Sequence, residues 1–521
     1  MNSGEKAKNI KRSELIRMGT NYMRLCLTFV LGLWLVRLLL AMGEGVYAVI
    51  AIVGAVIGIA NILQEMVRGT VVPIVGLAWH NVDKERFSET YTAAWLLSFI
   101  AAIFSTLIVL IFCFVFAKKM NIPANLFNAT MLYLYCRIPV IFITVLFSPA
   151  INLLPITDKM AQHNLWHSLE RAADVFMAFV VVYFYTNTAP EAQLSKYAVL
   201  SVIPMLIVKI LWAWDGIREN KLFWSRFKRP SKIVLKEIFS NIGWNSFYVI
   251  SMNMYLRLDT IITNIVFGIS GTFVFNLAAQ LLSYLRLVAV GIVQGFDAVI
   301  ARTKSISEKN KHDKNEVAFN LLQQTSRVQA ITTISLAFFF FLNISELLTL
   351  WIGDRLPENG NELERISILG IIMLPGVVSR SLSEGWMRYL SGLGEVKKYS
   401  LKLFVGAVLN PILIFILIYL LPEGHKYLSV AIAFSIILTV VHMYVLPRTL
   451  SRYLKIKTTE ILKPFLGPTL LSILAISISI GLIKILDLHG GKKVIYSAIV
   501  FAIVFLFPAL KIIKSYSSAK V

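Results

Sequence analysis

Arginines set within apolar stretches carry most of the chemistry legible in this sequence. Arg17, Asn21, Arg24 and Thr28 recur at i, i+4, i+7 and i+11, a single polar stripe on an otherwise apolar helix. Ser246, Asn253, Arg257, Thr260 and Asn264 share one side of a second helix, and a third stretch lines up Asn276, Gln280, Ser283, Gln294 and Asp297, with Arg286 one position off. A charge at bilayer depth costs at least ~2.5 kcal/mol, so each of these groups must face protein interior or a watery cavity. Guanidinium groups bind phosphate bidentately, while amides and hydroxyls hydrogen-bond sugar hydroxyls, so a cavity lined this way suits a sugar diphosphate. The expected binding set is Arg24, Arg257, Arg286, Asn21, Asn253, Gln280, Arg37 and Arg68. Of these, Arg37 and Arg68 fit a cavity and a headgroup position equally well.

Acids are fewer. Glu65, Asp174, Asp259, Asp297 and Glu384 are candidate carriers of a coupling ion, H+ or Na+, although salt-bridge roles explain each as well. Arg380 and Glu384 have the i, i+4 spacing of a structural pair. Arg17, Lys209, Arg327 and Arg388 lie near span ends, where long cationic side chains reach headgroups. His163 and His167 share the i, i+4 spacing of metal ligands, but the segment lacks the glutamate of a zinc-protease helix and has no third ligand, so no metal is expected. Cys26, Cys113 and Cys136 lie in or beside apolar stretches and imply no disulfide framework. Trp79, Trp212, Trp214, Trp224, Trp351 and Trp386 lie near span ends and fit an interfacial aromatic belt. No phosphate loop ending in GK[ST] is present, so the chain is not expected to hydrolyse ATP by itself. No other cofactor is implied.

The elements that must hold these residues follow from composition. Apolar residues make up 57% of the 521, charged residues 15%, and the mean hydropathy is +0.71. That is far more apolar surface than a soluble core of this length can hide. Stretches of membrane-spanning length recur about 14 times, centred near Leu33, Val56, Ile103, Ile143, Val180, Leu206, Ile250, Leu285, Phe338, Leu374, Ile412, Ile436, Leu474 and Phe501. The net charge of +22 reads as membrane orientation rather than nucleic-acid binding. Threading the spans from a cytoplasmic N-terminus puts about 30 Lys and Arg inside and about 8 outside. Both termini are therefore expected in the cytoplasm, with the acidic segment Trp351 to Arg365 outside.

A repeat organises the spans. The segment from Arg17 to Gln64 has a polar-headed long helix, a glycine turn and an aromatic residue at Tyr47, and the same order recurs from Phe239 to Leu287 with Phe273. Asn21 corresponds to Asn245, Gly43 to Gly268 and Gly45 to Gly271. The expected fold is an all-α polytopic membrane protein with two parallel six-helix lobes and two added helices: an N-terminal lobe at 1–217, a basic cytoplasmic linker at 218–236, a C-terminal lobe at 237–455, and a further pair with the tail at 456–521.

Gly19 and Asn21 in the helix head, Arg37, the turn Gly43 to Tyr47 and the small-residue helix through Asn61 resemble the N-terminal signature of the polysaccharide-transporter branch of the MOP superfamily. That branch includes Wzx-type O-antigen flippases, with lipid II flippases and MATE exporters more remote. The turn lacks the glycine that family members often carry after the aromatic residue. The resemblance implies two six-helix bundles, a central cavity and a polyprenyl-diphosphate-linked glycan as substrate, translocated by alternating access across a bacterial cytoplasmic membrane. It leads us to expect a non-enzymatic, monomeric protein whose partners are membrane lipids and polysaccharide-assembly proteins. A MATE-type cation antiporter would want unpaired acids where the first span has only arginines. A polymerase or glycosyltransferase would want a long outer loop, and the longest here is only ~15 residues.

Overall fold

The computed structural model describes residues 3–80, 82–157, 159–219, 228–293, 296, 300, 314–356 and 361–518, with side chains from 19 to 510 apart from 80, 219, 241, 314–318, 507 and 509. The described residues are mainly helical and contain no strand. In order they form α1 (Ser3–Ala41), α2 (Glu44–Ala60), α3 (Ile62–His80), α4 (Lys84–Ile111), α5 (Ala124–Leu146), α6 (Ser148–Ile156), α7 (Met160–Phe184), α8 (Pro190–Glu219), α9 (Lys232–Val293), α10 (Lys314–Ile352), α11 (Glu362–Gly392), α12 (Lys397–Leu420), α13 (Ser429–Thr439), α14 (Leu446–Leu454), α15 (Thr458–Ile485) and α16 (Gly490–Ser518).

Among the described residues, eleven helical segments are long and apolar enough to cross a membrane, which makes this a multi-pass membrane protein. The number falls below the sequence count at the fifth expected span, at the seventh and eighth, and at the fourteenth, α16, which is not among the eleven; at the second the crossing moves without changing the count. The second expected span is divided at Asn61 into α2 and α3. The fifth, α7, carries Gln162, His163, His167, Glu170, Arg171 and Asp174 on 25 residues, and these polar groups keep it out of the eleven. The seventh and eighth run together as the 62-residue α9.

Packing follows membrane rather than aqueous rules. On α4 the buried positions include Ala94, Ser98, Ala101, Ala102 and Ser105, while Leu96, Phe99, Ile103, Phe104 and Leu107 are exposed. Small residues facing in let helices approach closely, and large apolar residues facing out meet lipid at no cost.

By internal packing the chain divides into two compact units, Met1–Phe273 and Val274–Val521. In the first, α1 packs on α7, α5 on α8, and α3 on α4 and α6. In the second, α10 packs on α11, α15 and α16, and α11 on α13. The acidic side chain of Asp83 caps α4 by accepting from the Arg86 backbone N–H at 3.0 Å.

The helix α9 is broken twice within the first unit. Leu256 takes φ 66°, a conformation costly for a branched side chain, and the following turn is held by Asp259, whose carboxylate accepts from the Leu256 N–H at 3.4 Å. At Gly268 the chain has φ 67° and at Gly43 φ 123°, so both expected glycine turns use backbone conformations that favour glycine. Asn121 holds the Gly268 turn by donating to the carbonyls of Asn264 (3.2 Å) and Ile265 (2.8 Å). The corresponding aromatic residues of the two repeats, Tyr47 and Phe273, meet edge to face at 6.0 Å.

Candidate anion-binding site

Four polar clusters hold the residues singled out above, three in the first unit and one in the second. The first gathers on the polar face of α7. Asn21 of α1 accepts from the Asn164 amide at 2.7 Å, so the polar head of the first helix is bound to α7. Arg24, three residues on, has a buried Nε with no hydrogen-bond partner. His163 and His167 lie one turn apart on α7, within electrostatic reach of Arg24, and Arg68 of α3 also acts on His163. Both imidazoles pack against Trp212 of α8, with ring centroids 4.9 and 6.3 Å away. Lys209 covers the same indole at 4.9 Å and is paired with Glu170 at 2.7 Å. Arg68 is exposed and lines a recess of about 290 Å³ with Val71, Val75, Tyr91, Ser98 and Asn152.

The second cluster engages Arg257. Its Nε donates to Asn253 Oδ1 (3.1 Å) and its Nη1 to the Gly54 carbonyl (3.2 Å), while the Asn253 amide donates to Glu65 (3.0 Å). The guanidinium lies against the bare backbone of Gly58, where a Cβ would fall 1.1 Å from Nη1. Asp259 is fully buried and spends an oxygen on the α9 break described above.

The third cluster is a closed network. Arg137 donates to Tyr133 (2.7 Å) and Ser201 (3.2 Å) and pairs with Asp174 at 3.7 Å. Asp174 also accepts from the Tyr197 hydroxyl at 2.6 Å and lies 3.9 Å from Arg171.

In the second unit, Arg286 and Arg380 act on the fully buried His442. His442 contacts Ser383 at 2.5 Å on a π-helical turn, Val440–Val445. Glu384 pairs with Arg388 at 3.2 Å. Gln280 is half-buried nearby in sequence on α9.

Several expectations are corrected by these contacts. Glu384 is at ion-pair distance from Arg388, one turn beyond the Arg380 that spacing offered. Arg388 and Lys209 are therefore engaged in protein ion pairs and do not reach for headgroups. Trp212 and Trp386 are 3% and 1% exposed, core residues rather than members of an interfacial belt, since α8 and α11 are covered by neighbouring helices at those positions. Arg37 is half-buried near the end of α1. Asp297 and Gln294 lie outside the described residues, as do residues 220–227 of the basic segment. The residues that spacing did not reveal are Trp212 and His442. Their one sequence signal was an unexplained indole or imidazole inside an apolar stretch. Among the described residues no group of three or more His, Cys, Asp or Glu could hold a metal ion.

No protein-family model and no curated protein sequence matches the chain. Solved structures do match. The lipid II flippase MurJ in an inward closed conformation superposes with a TM-score of 0.64 at 14% identity, covering 93% of this chain and 97% of that one. An inward-facing MATE multidrug-resistance transporter of the MOP superfamily gives 0.61 at 15% identity, with 85% and 98% covered. A MOP-superfamily transporter from Pyrococcus furiosus, described by the reverse polarity of its binding pocket, gives 0.59 at 14% identity, with 86% and 97% covered. The chain has the fold of these transporters.

Proposed function

We propose that this protein is a flippase that moves a polyprenyl-diphosphate-linked oligosaccharide across a bacterial cytoplasmic membrane by alternating access. The observation that carries this reading is the sign of the uncommitted charge on α1 and α7. Arg24 keeps a buried donor without a partner, beside an amide pair and an indole, and diphosphate, sugar hydroxyls and a sugar ring are the groups that such a surface recognises. Among the described residues, the candidate acids of a cation exporter have partners. Glu65 accepts from Asn253, Asp174 from Tyr197, and Glu384 is paired with Arg388. The MATE-type alternative, which shares the fold, is disfavoured on that ground, and a polymerase or glycosyltransferase on the lack of a site for its chemistry in the sequence.

The membrane arrangement that accompanies this reading is about 14 crossings as two six-helix lobes with two further C-terminal helices and both termini in the cytoplasm. The protein works as a monomer, draws on an H+ or Na+ gradient or on the substrate gradient, and delivers its product to polysaccharide-assembly proteins. The test is flipping of a polyprenyl-diphosphate oligosaccharide by the purified protein in vesicles. Wild type should expose the glycan on the far leaflet. Arg24→Ala should slow this by about tenfold to a hundredfold, the loss of one or two charge-assisted hydrogen bonds, and Arg24→Lys should restore part of the rate. A wild type that exports a lipophilic cation against a proton gradient and leaves the glycan in place would establish the MATE-type reading instead.

A further inference from the structure

The pair His163 and His167 has so far been described only as neighbours of Arg24. Metal binding does not account for them, and neither is used to hold α7 in place through its free edge. Both Nδ1 atoms are buried and have no hydrogen-bond partner. For His163 the other edge of the ring bonds the backbone of Ile151 on α6. The Ile151 N–H already donates to the Phe147 carbonyl at 3.0 Å, so the bond from the ring runs N–H to the Ile151 carbonyl. That fixes the neutral tautomer with its lone pair at Nδ1. As it stands, this edge presents an acceptor, which repels an oxyanion.

The charges around the pair come from α1, α3, α7 itself and α8. Arg24 of α1 lies within electrostatic reach of both imidazoles, and Arg68 of α3 within reach of His163. From α7 itself come Glu170 and Arg171, and from α8 comes Lys209. The helix α6 contributes only its backbone. Glu170 is cancelled by Lys209 at 2.7 Å, Arg171 is directed to Asp174, and Asp215 of α8 is occupied by the Trp166 indole at 2.9 Å. Arg24 and Arg68 remain as the charges these pairs leave over. A proton placed on either histidine in the empty site adds a like charge to two guanidiniums; a dianion between them removes that penalty and at the same time rewards an Nδ1–H donor.

We infer that His163 and His167, with Arg24 and Arg68, form a proton-linked site for a diphosphate diester, the imidazoles taking up protons from the aqueous phase as the anion binds. Each proton forms one Nδ1–H bond and converts a repelling lone pair into a donor to a phosphoryl oxygen. Trp212 packs against both rings and holds the two imidazoles together. This rests on the diphosphate reading of the preceding subsection and adds to it the group that links ligand binding to pH.

The experiment is calorimetric titration of the full-length protein in lipid nanodiscs with farnesyl-diphosphate N-acetylglucosamine, whose phosphates are both esterified and do not titrate between roughly pH 5 and 8, where histidine does. Repeating each titration in two buffers of different ionisation enthalpy counts the protons taken up. Wild type should bind about one to two decades more tightly for each pH unit lowered, with a matching uptake of protons. The double variant His163→Gln with His167→Gln should bind with no pH slope across that range and no proton uptake. Each single variant should lose about half the slope, which carries the test if the double variant melts early. A double variant that keeps the wild-type slope, or a wild type that binds without taking up protons, overturns the histidine proposal and leaves the diphosphate reading intact. A wild type that fails to bind the diester at any pH overturns both.

Discussion

Arg24 and Arg137 lie in the same helical unit, both within apolar helices, and the structure treats them in opposite ways. Arg137 is 6% exposed and its guanidinium is taken up by Tyr133, Ser201 and Asp174. Arg24 is half-buried and, among the described residues, has no ion pair; the Nε of both arginines lacks a partner, so the difference lies in the terminal nitrogens, which only Arg137 has committed to neighbours. A charge surrounded by partners joins helices, here α5, α7 and α8. A charge left with spare donors among cations and amides has its partner elsewhere, in a ligand. Arg257 stands between the two. It is engaged, but by an asparagine and a backbone carbonyl rather than by an acid, so it keeps its positive charge uncancelled while its position is set.

The contrast is broken or sharpened by measurement. The largest effect belongs to the closed network. Removing Asp174 with Asn or Leu, or Arg137 with Met, strands a buried charge or donor and should cost about 3–5 kcal/mol of stability. A thermal unfolding series in detergent reads this directly, and the paired Arg137→Met, Asp174→Leu protein should recover much of the loss. Arg24→Ala in the same series should barely shift the unfolding temperature. If the two arginines destabilise equally, the division between architecture and site is wrong.

An intermediate effect is expected at Gly58. A Cβ there would lie 1.1 Å from Arg257 Nη1, so Gly58→Ala must expel the guanidinium and break its bond to Gly54. The cost should be about 1–3 kcal/mol, as for other overpacked contacts, and Arg257→Ala introduced on top should add little, because the arginine has already been displaced. Full additivity in that double-mutant cycle would place Arg257 away from Gly58.

The smallest effect is at the aqueous end of α4, where Arg86 holds both oxygens of Glu237 at 3.1 and 2.9 Å. Both side chains are partly exposed. A double-mutant cycle there should return about 0.2–1 kcal/mol, falling with added salt. Close by, Lys228 beside Glu85 has its ammonium pKa raised by that hydrogen bond, so neutralising it near neutral pH is not expected to contribute. A coupling larger than that of the buried network would invert the comparison altogether.

Much of this molecule was settled by its sequence alone. Apolar length makes membrane helices wherever the backbone must satisfy itself. A glycine with no Cβ is what the turns at Gly43 and Gly268 require. These are local properties, decided by residues close in the chain. Tertiary structure alone decided which charges are spent. Arg24, Arg137 and Arg257 look alike in sequence because each is an arginine in an apolar run, and only packing brings Asp174 to Arg137, Gly54 to Arg257 and, among the described residues, no acid to Arg24. Trp212 and the histidines of α7 became a site for the same reason. Their meeting depends on the α7 and α8 faces being turned toward each other, and an interaction between side chains on different helices leaves no periodic trace in either one.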